Sequence, residues 1–499
     1  MTTPDHHVLI VGGGFAGIGM AIRLEQEGVS DFLLVEQEDG IGGTWRDNHY
    51  PGCACDVPAP LYSFSFAPNP EWSRLYAGYA EIRRYIEDCV DEYGVRGRIR
   101  TSAQLTSAAW DDDDQLWRCE INGEEQLTAR VLIGALGGLT KPSIPDLGGL
   151  GTFTGHVFHS ARWDHGVDLK GKRVAVVGTG ASAIQIVPEI AREAAQVDVY
   201  QRTPPWVLPK IDFAFGAAAK RLFKTVPLTQ KALRGAIYAI HESVAVGNTI
   251  EPRLHAPLEA WAKSHIRRQI RDRELRRAVT PDYRIGCKRI LISNDWYSTL
   301  DKDHVELIPH GVDAVTPQGV VADGAERPAD AIVLATGFRP TDLLTPLELK
   351  GRGGADVNDT WREAIHAHRG TTIAGFPNLF ILTGPNSGTG HQSQLYMIEC
   401  QHEYVLGALR AMLDEGLASV DVRAQAEAHF NDRVQARMQR TVWLRGGCSS
   451  WYLDPNGRNV TLWPSFTFQY RAATAKFDRH NYDAVPAVEH AATPEEVAA

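Results

Sequence analysis

Two glycine-rich segments could hold phosphate. The first, Gly12-x-Gly14-x-x-Gly17, follows the apolar run HVLIV and opens a helical pattern at Phe15. Gly12 permits a tight turn, Gly14 lets backbone approach a pyrophosphate, and Gly17 lets the helix pack close to a sheet. The helix start, Phe15 included, offers free N–H groups and a partial positive charge to the phosphates. Glu36 stands 24 residues after Gly12, at the end of the next apolar run, where a carboxylate accepts ribose hydroxyls. This site is therefore expected to take a cofactor with a free 2′-hydroxyl, such as FAD or NAD. The second motif, Gly178-x-Gly180-x-x-Ala183, repeats the frame, but its acid position differs. Gln201, Arg202 and Thr203 stand there, with no carboxylate. Arginine suits a 2′-phosphate by charge and bidentate geometry, so this site is expected to take NADP(H). Two dinucleotides in one chain point to electron transfer, with NADPH reducing FAD and the flavin passing electrons onward.

Each motif needs a strand before it and a helix after it. Residues 7–17 (HVLIVGGGFAG) echo residues 173–183 (RVAVVGTGASA), and each echo precedes a second apolar run, 32–36 and 197–202. That is β–α–β twice, with the crossover that a parallel sheet requires. A third run, 330–337, again reads as a buried strand ending in glycine. The predicted fold is α/β: two Rossmann-like dinucleotide-binding domains, the second inserted in the first, with a helical insertion. The boundaries read as 1–147 and 342–499 for the FAD domain, 148–208 and 286–341 for the NADP domain, and 209–285 for the insertion. Within the insertion, 217–247 and 256–278 have helical spacing, and the basic stretch 263–277 reads as a solvated helix face. Residues 111–114 (DDDD) read as a hairpin tip, and the tail 484–499 is expected to fray.

With 499 residues, a net charge of −10 and 43% hydrophobic residues, the chain has the profile of a globular protein and not of a nucleic-acid binder. No apolar run suffices to span a bilayer, so no stable membrane insertion is expected, and the N-terminus shows no signal peptide. Seven sparse cysteines argue against a disulfide scaffold, with a reducing cytoplasm as the default. No metal-ligand set, P-loop or Ser–His–Asp arrangement is present.

Many two-dinucleotide flavoproteins reduce disulfides and carry a redox cysteine pair after Gly-Gly-Thr. Here Gly42-Gly43-Thr44 is followed by Trp45. Cys53 and Cys55 lie nearby, but a one-residue spacer with Asp56 alongside disfavours a reactive thiolate. They read as buried structural thiols.

Residues 153–164 read Phe153-x-Gly155-x-x-x-His159-x-x-x-Trp163-Asp164, and residues 43–56 contain Gly43, Trp45, Tyr50, Pro51, Gly52 and Asp56. These resemble the two signatures of the Baeyer–Villiger monooxygenases, FAD- and NADPH-dependent flavoproteins. QRTPPWVLP (201–209), GCKR (286–289), ATGF (335–338), GFPNLF (375–380) and GPN (384–386) extend the resemblance across residues 7–470. Related N- and S-oxidising flavin monooxygenases share the glycine motifs but typically lack the Asp–Arg pair and are the alternative.

The resemblance implies a catalytic arginine, Arg289, paired with Asp56 near the flavin. It implies that Lys288 helps hold NADP, that Trp45 and Tyr62 contact flavin, and that Trp451 contacts NADP from a mobile loop within 441–465. It gives His159 a coupling role. The implied reaction inserts one oxygen atom of O2 beside a ketone carbonyl through a C4a-peroxyflavin, giving an ester or lactone. A permanently charged guanidinium stabilises the anions of that chemistry, and a carboxylate can hold its fork in place. The partners are then a small-molecule ketone and O2. Leu395, Trp443 and Phe466 are candidate pocket-lining residues. The ketone, its regiochemistry and the oligomeric state stay open at this level.

Overall fold

The computed structural model describes residues 2–339, 342, 344 and 347–487. The chain begins with β1 (His6–Val11), α1 (Phe15–Gln26) and β2 (Phe32–Val35). β1 and β2 pair in parallel, Val8 opposite Phe32 and Val11 opposite Val35. Helices α2 (Thr44–Asp47) and α3 (Tyr79–Glu92) precede β3 (Ile99–Arg100). An antiparallel meander follows: β4 (Leu105–Asp111), β5 (Leu116–Ile121) and β6 (Glu125–Gly134). Asp112 and Asp113 sit exposed in the β4–β5 turn, as the run of aspartates predicts.

The second β–α–β unit starts after β7 (His156–His159). It comprises β8 (Arg173–Val177), α4 (Ala183–Ile190) and β9 (Gln196–Tyr200). After β10 (Val207–Leu208) the insertion folds as α5 (Ala217–Thr225), α6 (Pro227–Thr249), α7 (Ala256–Gln269) and α8 (Arg273–Ala278). Next come β11 (Leu291–Ile292), β12 (Val305–Ile308), the hairpin strands β13 (Ala314–Thr316), β14 (Gly319–Ala322) and β15 (Ala325–Pro328), and β16 (Ala331–Leu334). The chain closes with β17 (Glu348–Lys350), β18 (Leu379–Ile381), β19 (Leu417–Val422) and β20 (Tyr482–Pro486).

Two sheets carry the molecule. One runs β17-β4-β5-β6-β1-β2-β3, with β18 also paired to β6; the other runs β12-β9-β8-β16-β7. The chain thus leaves the first sheet after β6, builds the second, and returns. The central parallel strands β1, β8 and β16 are rich in valine and isoleucine and largely buried, as in sheets covered on both faces. The expected fraying of the tail is corrected at its start: Tyr482–Pro486 pairs antiparallel with β19. Residues 488–499 lie outside the described residues.

The glycines obey the predicted geometry. Gly12 (φ +113°) and Gly178 (φ +111°) turn out of β1 and β8 in a conformation that side chains disfavour. A Cβ on Gly17 would stand 2.0 Å from Gly12 O, so α1 rests directly on the turn. The second unit tolerates Ala183 at the corresponding position, where the methyl is fully buried.

Candidate functional site

The ends of both sheets open into one cavity of about 1510 Å³. Single-ligand pockets span roughly 300–1,000 Å³, so this one has room for more than one ligand. Gly12, Gly14, Phe15, Glu36, Trp45, Asp56 and Tyr62 line it from the first unit. Gly178, Gly180, Arg202, Thr203, Lys288 and Arg289 line it from the second, with Trp451 at one wall. Gly17 and Ala183 do not line it; both pack helix against strand.

The first half of the cavity suits an adenine-dinucleotide ribose and pyrophosphate. Glu36 is buried beside the turn and accepts the Gly13 N–H at 2.6 Å and the Glu38 N–H at 2.9 Å. Burial raises its pKa, opposed by those two hydrogen bonds. A Cβ on Gly14 would meet nothing nearer than Gly43 Cα at 3.7 Å, so the free face of that backbone belongs to the cavity. Trp45 Nε1 donates to the Tyr62 hydroxyl at 3.1 Å, and Phe15 packs edge-on against Tyr62, forming an aromatic wall.

The second half suits a phosphate dianion. Arg202 and Lys288 both line the cavity, and neither is in an ion pair among the described residues. Burial, then the charge of Arg202, lowers the Lys288 pKa, which marks the two cations as close neighbours. Two neighbouring cations with no ion-pair partner among the described residues are the donor set a 2′-phosphate needs, although the Asp282 charge acts on Lys288 in the opposite sense to Arg202. Gln201 faces away, donating to Ala278 O at 2.8 Å.

Between the halves lies the Asp56–Arg289 pair, 233 residues apart in sequence. Arg289 Nε and Nη2 donate to the two Asp56 carboxylate oxygens at 2.6 Å each. Nη1 has no protein acceptor among the described residues. The Asp56 charge holds the Arg289 pKa well above its ordinary range against burial. Burial pushes the Asp56 carboxyl up, but the Arg289 charge and hydrogen bonds overcome it and hold it below the usual range. The result is a fixed cation at a cavity wall with one unused donor nitrogen.

Residues 9–216 match the profile of the pyridine nucleotide-disulphide oxidoreductase family. A Baeyer-Villiger monooxygenase from Pseudomonas aeruginosa is 49% identical over 477 residues, covering 95% of this chain and 90% of its own. One from Streptomyces coelicolor is 46% identical over 478 residues, covering 95% and 92%. The chain belongs to the Baeyer–Villiger monooxygenase family. The solved structure of an oxidized steroid monooxygenase bound to NADP superposes with a TM-score of 0.86 at 29% identity, covering 97% of this chain and all of that one. The closed crystal structure of cyclohexanone monooxygenase gives 0.87 at 26%, with the same coverage.

Within this monooxygenase, Cys53 and Cys55 are buried free thiols; burial pushes Cys53 up to about 12 and raises Cys55 as well. They cannot supply a thiolate. The sparse cysteines argue against a disulfide scaffold, yet one pair, Cys287 and Cys448, is joined in a disulfide across 161 residues. No spacing signal announces a pair so far apart. Of the three guessed lining residues, Leu395 lines the cavity, whereas Trp443 is buried in a separate apolar cluster and Phe466 also stays outside the lining. Sequence reasoning missed Gln185 on α4, which accepts from the Tyr50 hydroxyl at 2.9 Å and donates to Ala54 O at 2.9 Å, tying the first unit to the second. It also missed Thr389 and Gln392 in the cavity wall. The insertion backs that wall through Glu242, which accepts from Gln392 Nε2 at 3.3 Å and Thr467 N at 2.6 Å. His159 is buried at the end of β7, accepting from Ala161 N and packing edge-on against Phe338.

Proposed function

We propose that this chain holds FAD through Gly12, Gly14, Phe15, Glu36, Trp45 and Tyr62, and NADPH through Gly178, Gly180, Arg202, Thr203, Lys288 and Trp451. With these it inserts one oxygen atom of O2 beside a ketone carbonyl, releasing an ester or lactone. The Asp56–Arg289 fork carries the reading. It stands in a cavity shared by both glycine motifs and keeps one guanidinium nitrogen unengaged.

Bound NADPH supplies hydride and bound FAD supplies oxygen activation. Arg289 then serves as a permanent cation for negative charge developing on oxygen, since its raised pKa keeps its proton in place. Asp56 fixes the plane of the fork, so the charge costs no reorganisation when it is used. Trp451 and Tyr452 wall the cavity, Tyr452 close to Arg289, and help exclude water from the reacting centre. His159 couples the two units from the linker without touching the substrate. The setting is the cytoplasm, where NADPH is replenished; among the described residues no helix is long and apolar enough to cross a membrane.

A panel of ketones and thioethers, followed by NADPH consumption and product detection, tests this. Ester or lactone formation with one NADPH per product is expected. Sulfoxide from thioethers with no ester from any ketone would favour heteroatom oxidation instead.

A further inference from the structure

The Cys287–Cys448 disulfide joins two segments that both bear on the second cofactor site. Cys287 is fully buried and immediately precedes Lys288 and Arg289. Cys448 is half-buried and lies three residues before Trp451. Ser449, Ser450, Trp451 and Tyr452 all line the cavity. Tyr452 is buried against Tyr283 and Ile285, but residues 447–451 are otherwise weakly held. Arg284 N donates to Gly446 O at 2.9 Å, but from Gly447 to Trp451 no hydrogen bond leaves residues 446–454 among the described residues. Trp451 itself is 48% exposed. Between the Gly446 hydrogen bond and the buried Tyr452, the covalent bond is therefore what fastens residues 447–451 to the strip carrying Lys288 and Arg289. The other five cysteines are buried and free, so no third thiol competes for the pair.

We infer that Cys287–Cys448 is a reversible redox modification site that sets how firmly the Trp451 segment is held over bound NADP(H). The inference rests on the reading of Arg202 and Lys288 as the NADP side of the cavity. The reductant is a dithiol. Its thiolate attacks Cys448 Sγ, the more accessible sulfur, forming a mixed disulfide and releasing Cys287 as thiolate. The second thiol of the reductant then attacks its own sulfur in that mixed disulfide and releases Cys448 as thiolate. The reductant leaves as a cyclic disulfide, two electrons pass to the cysteine pair, and each cysteine thiolate gains a proton. An oxidised dithiol reverses the sequence. In the dithiol state the stretch 447–451 is held only through its two ends, the Gly446 hydrogen bond and the buried Tyr452, so closure over the nicotinamide dinucleotide must be fixed from a broader ensemble.

The test uses FAD-loaded full-length protein equilibrated with reduced or oxidised dithiothreitol. Differential alkylation and peptide mass mapping give the state of each cysteine, and equilibrium dialysis with NADP+ gives affinity without turnover. Cys287 and Cys448 are expected to interconvert as a pair while the other five stay reduced. NADP+ is expected to bind at least about fivefold more weakly to the dithiol form, the low end of measured site-to-site coupling. Cys448→Ser should bind as the reduced protein does and lose its response to dithiothreitol; Cys287→Ser serves the same purpose should that variant misfold. Free thiols at 287 and 448 under oxidised dithiothreitol would overturn the inference, as would equal NADP+ affinity in the two mapped states. The latter result leaves the cofactor reading standing. Absence of NADP+ binding in either state overturns both.

Discussion

Replacing Arg289 with alanine removes the cation paired with Asp56, together with a guanidinium nitrogen that has no protein acceptor among the described residues. In the intact protein two 2.6 Å hydrogen bonds fix the fork, and the side chains are 33% and 24% exposed. Part of the pair's Coulomb energy is therefore screened by solvent, and stability is expected to fall modestly rather than collapse. Catalysis should suffer far more. A preorganised donor aimed at developing negative charge is worth about 2.7–4 kcal/mol, or roughly 10²–10³ in rate. Hydride transfer from NADPH precedes the steps in which oxygen bears that charge, so it should depend on Arg289 much less. The assay pairs anaerobic stopped-flow reduction, followed by flavin bleaching, with aerobic product analysis on the same flavin-loaded sample. Ester formation should drop by at least about 10², while reduction stays within an order of magnitude. Arg289→Lys keeps a charge without the planar fork and should fall between the two proteins. Asp56→Ala should be milder than Arg289→Ala, since the cation survives but loses its orientation. Near-normal ester formation by Arg289→Ala would refute the proposed role. So would equal losses in reduction and in ester formation, which would make the residue a general cofactor-holding group.

Arg202→Ala should weaken NADPH binding about 10- to 100-fold, the worth of one charge-assisted contact, and leave NADH nearly unchanged; competition dialysis of both nucleotides decides this. Gly14→Ala should fold yet lose FAD, because its Cβ meets only ordinary contact with protein, whereas Gly12→Ala would drive a Cβ to 2.6 Å from Ala135 O and should yield little folded protein. Flavin absorbance per folded chain separates the two outcomes. His402 is buried with Nε2 2.9 Å from Ala16 O on α1, and burial lowers its pKa to about 4. Its folded pKa lies below that of the unfolded chain, so the unfolded state takes up the proton first as pH falls. Stability present near neutrality should decline by about 2 kcal/mol between pH 7 and pH 4.5 through this residue alone. Urea unfolding of His402→Gln, which retains an N–H donor, should show that decline flattened; an unchanged pH slope would rule the residue out.

Local chemistry was readable because it is local. A strand, a glycine turn and a helix follow one another within about thirty residues, so Gly12, Gly14, Gly178 and Gly180 announce their backbone roles wherever the chain goes next. Glu36 and Arg202 are read the same way, each a fixed step from its turn. The insertion was visible as a change to apolar residues at helical spacing in 217–247 and 256–278.

Other features exist only once distant segments meet. Asp56 and Arg289 bear opposite charges in a chain rich in both, and nothing in their spacing pairs them; the family resemblance suggested the partnership, and the packing of the two units closes it to 2.6 Å. Nothing in the sequence pairs Cys287 with Cys448, which meet only when the 446–452 segment is laid against 284–289. Leu395 and Trp443 are both apolar and both buried, yet only Leu395 faces the cavity, because hydrophobicity specifies burial and not direction. What the sequence by itself determined is the pair of dinucleotide turns and the charge each presents to a ribose. Tertiary structure alone decided that the two turns open into one cavity with a fixed cation between them, since contact between residues hundreds of positions apart depends on how whole sheets and helices pack.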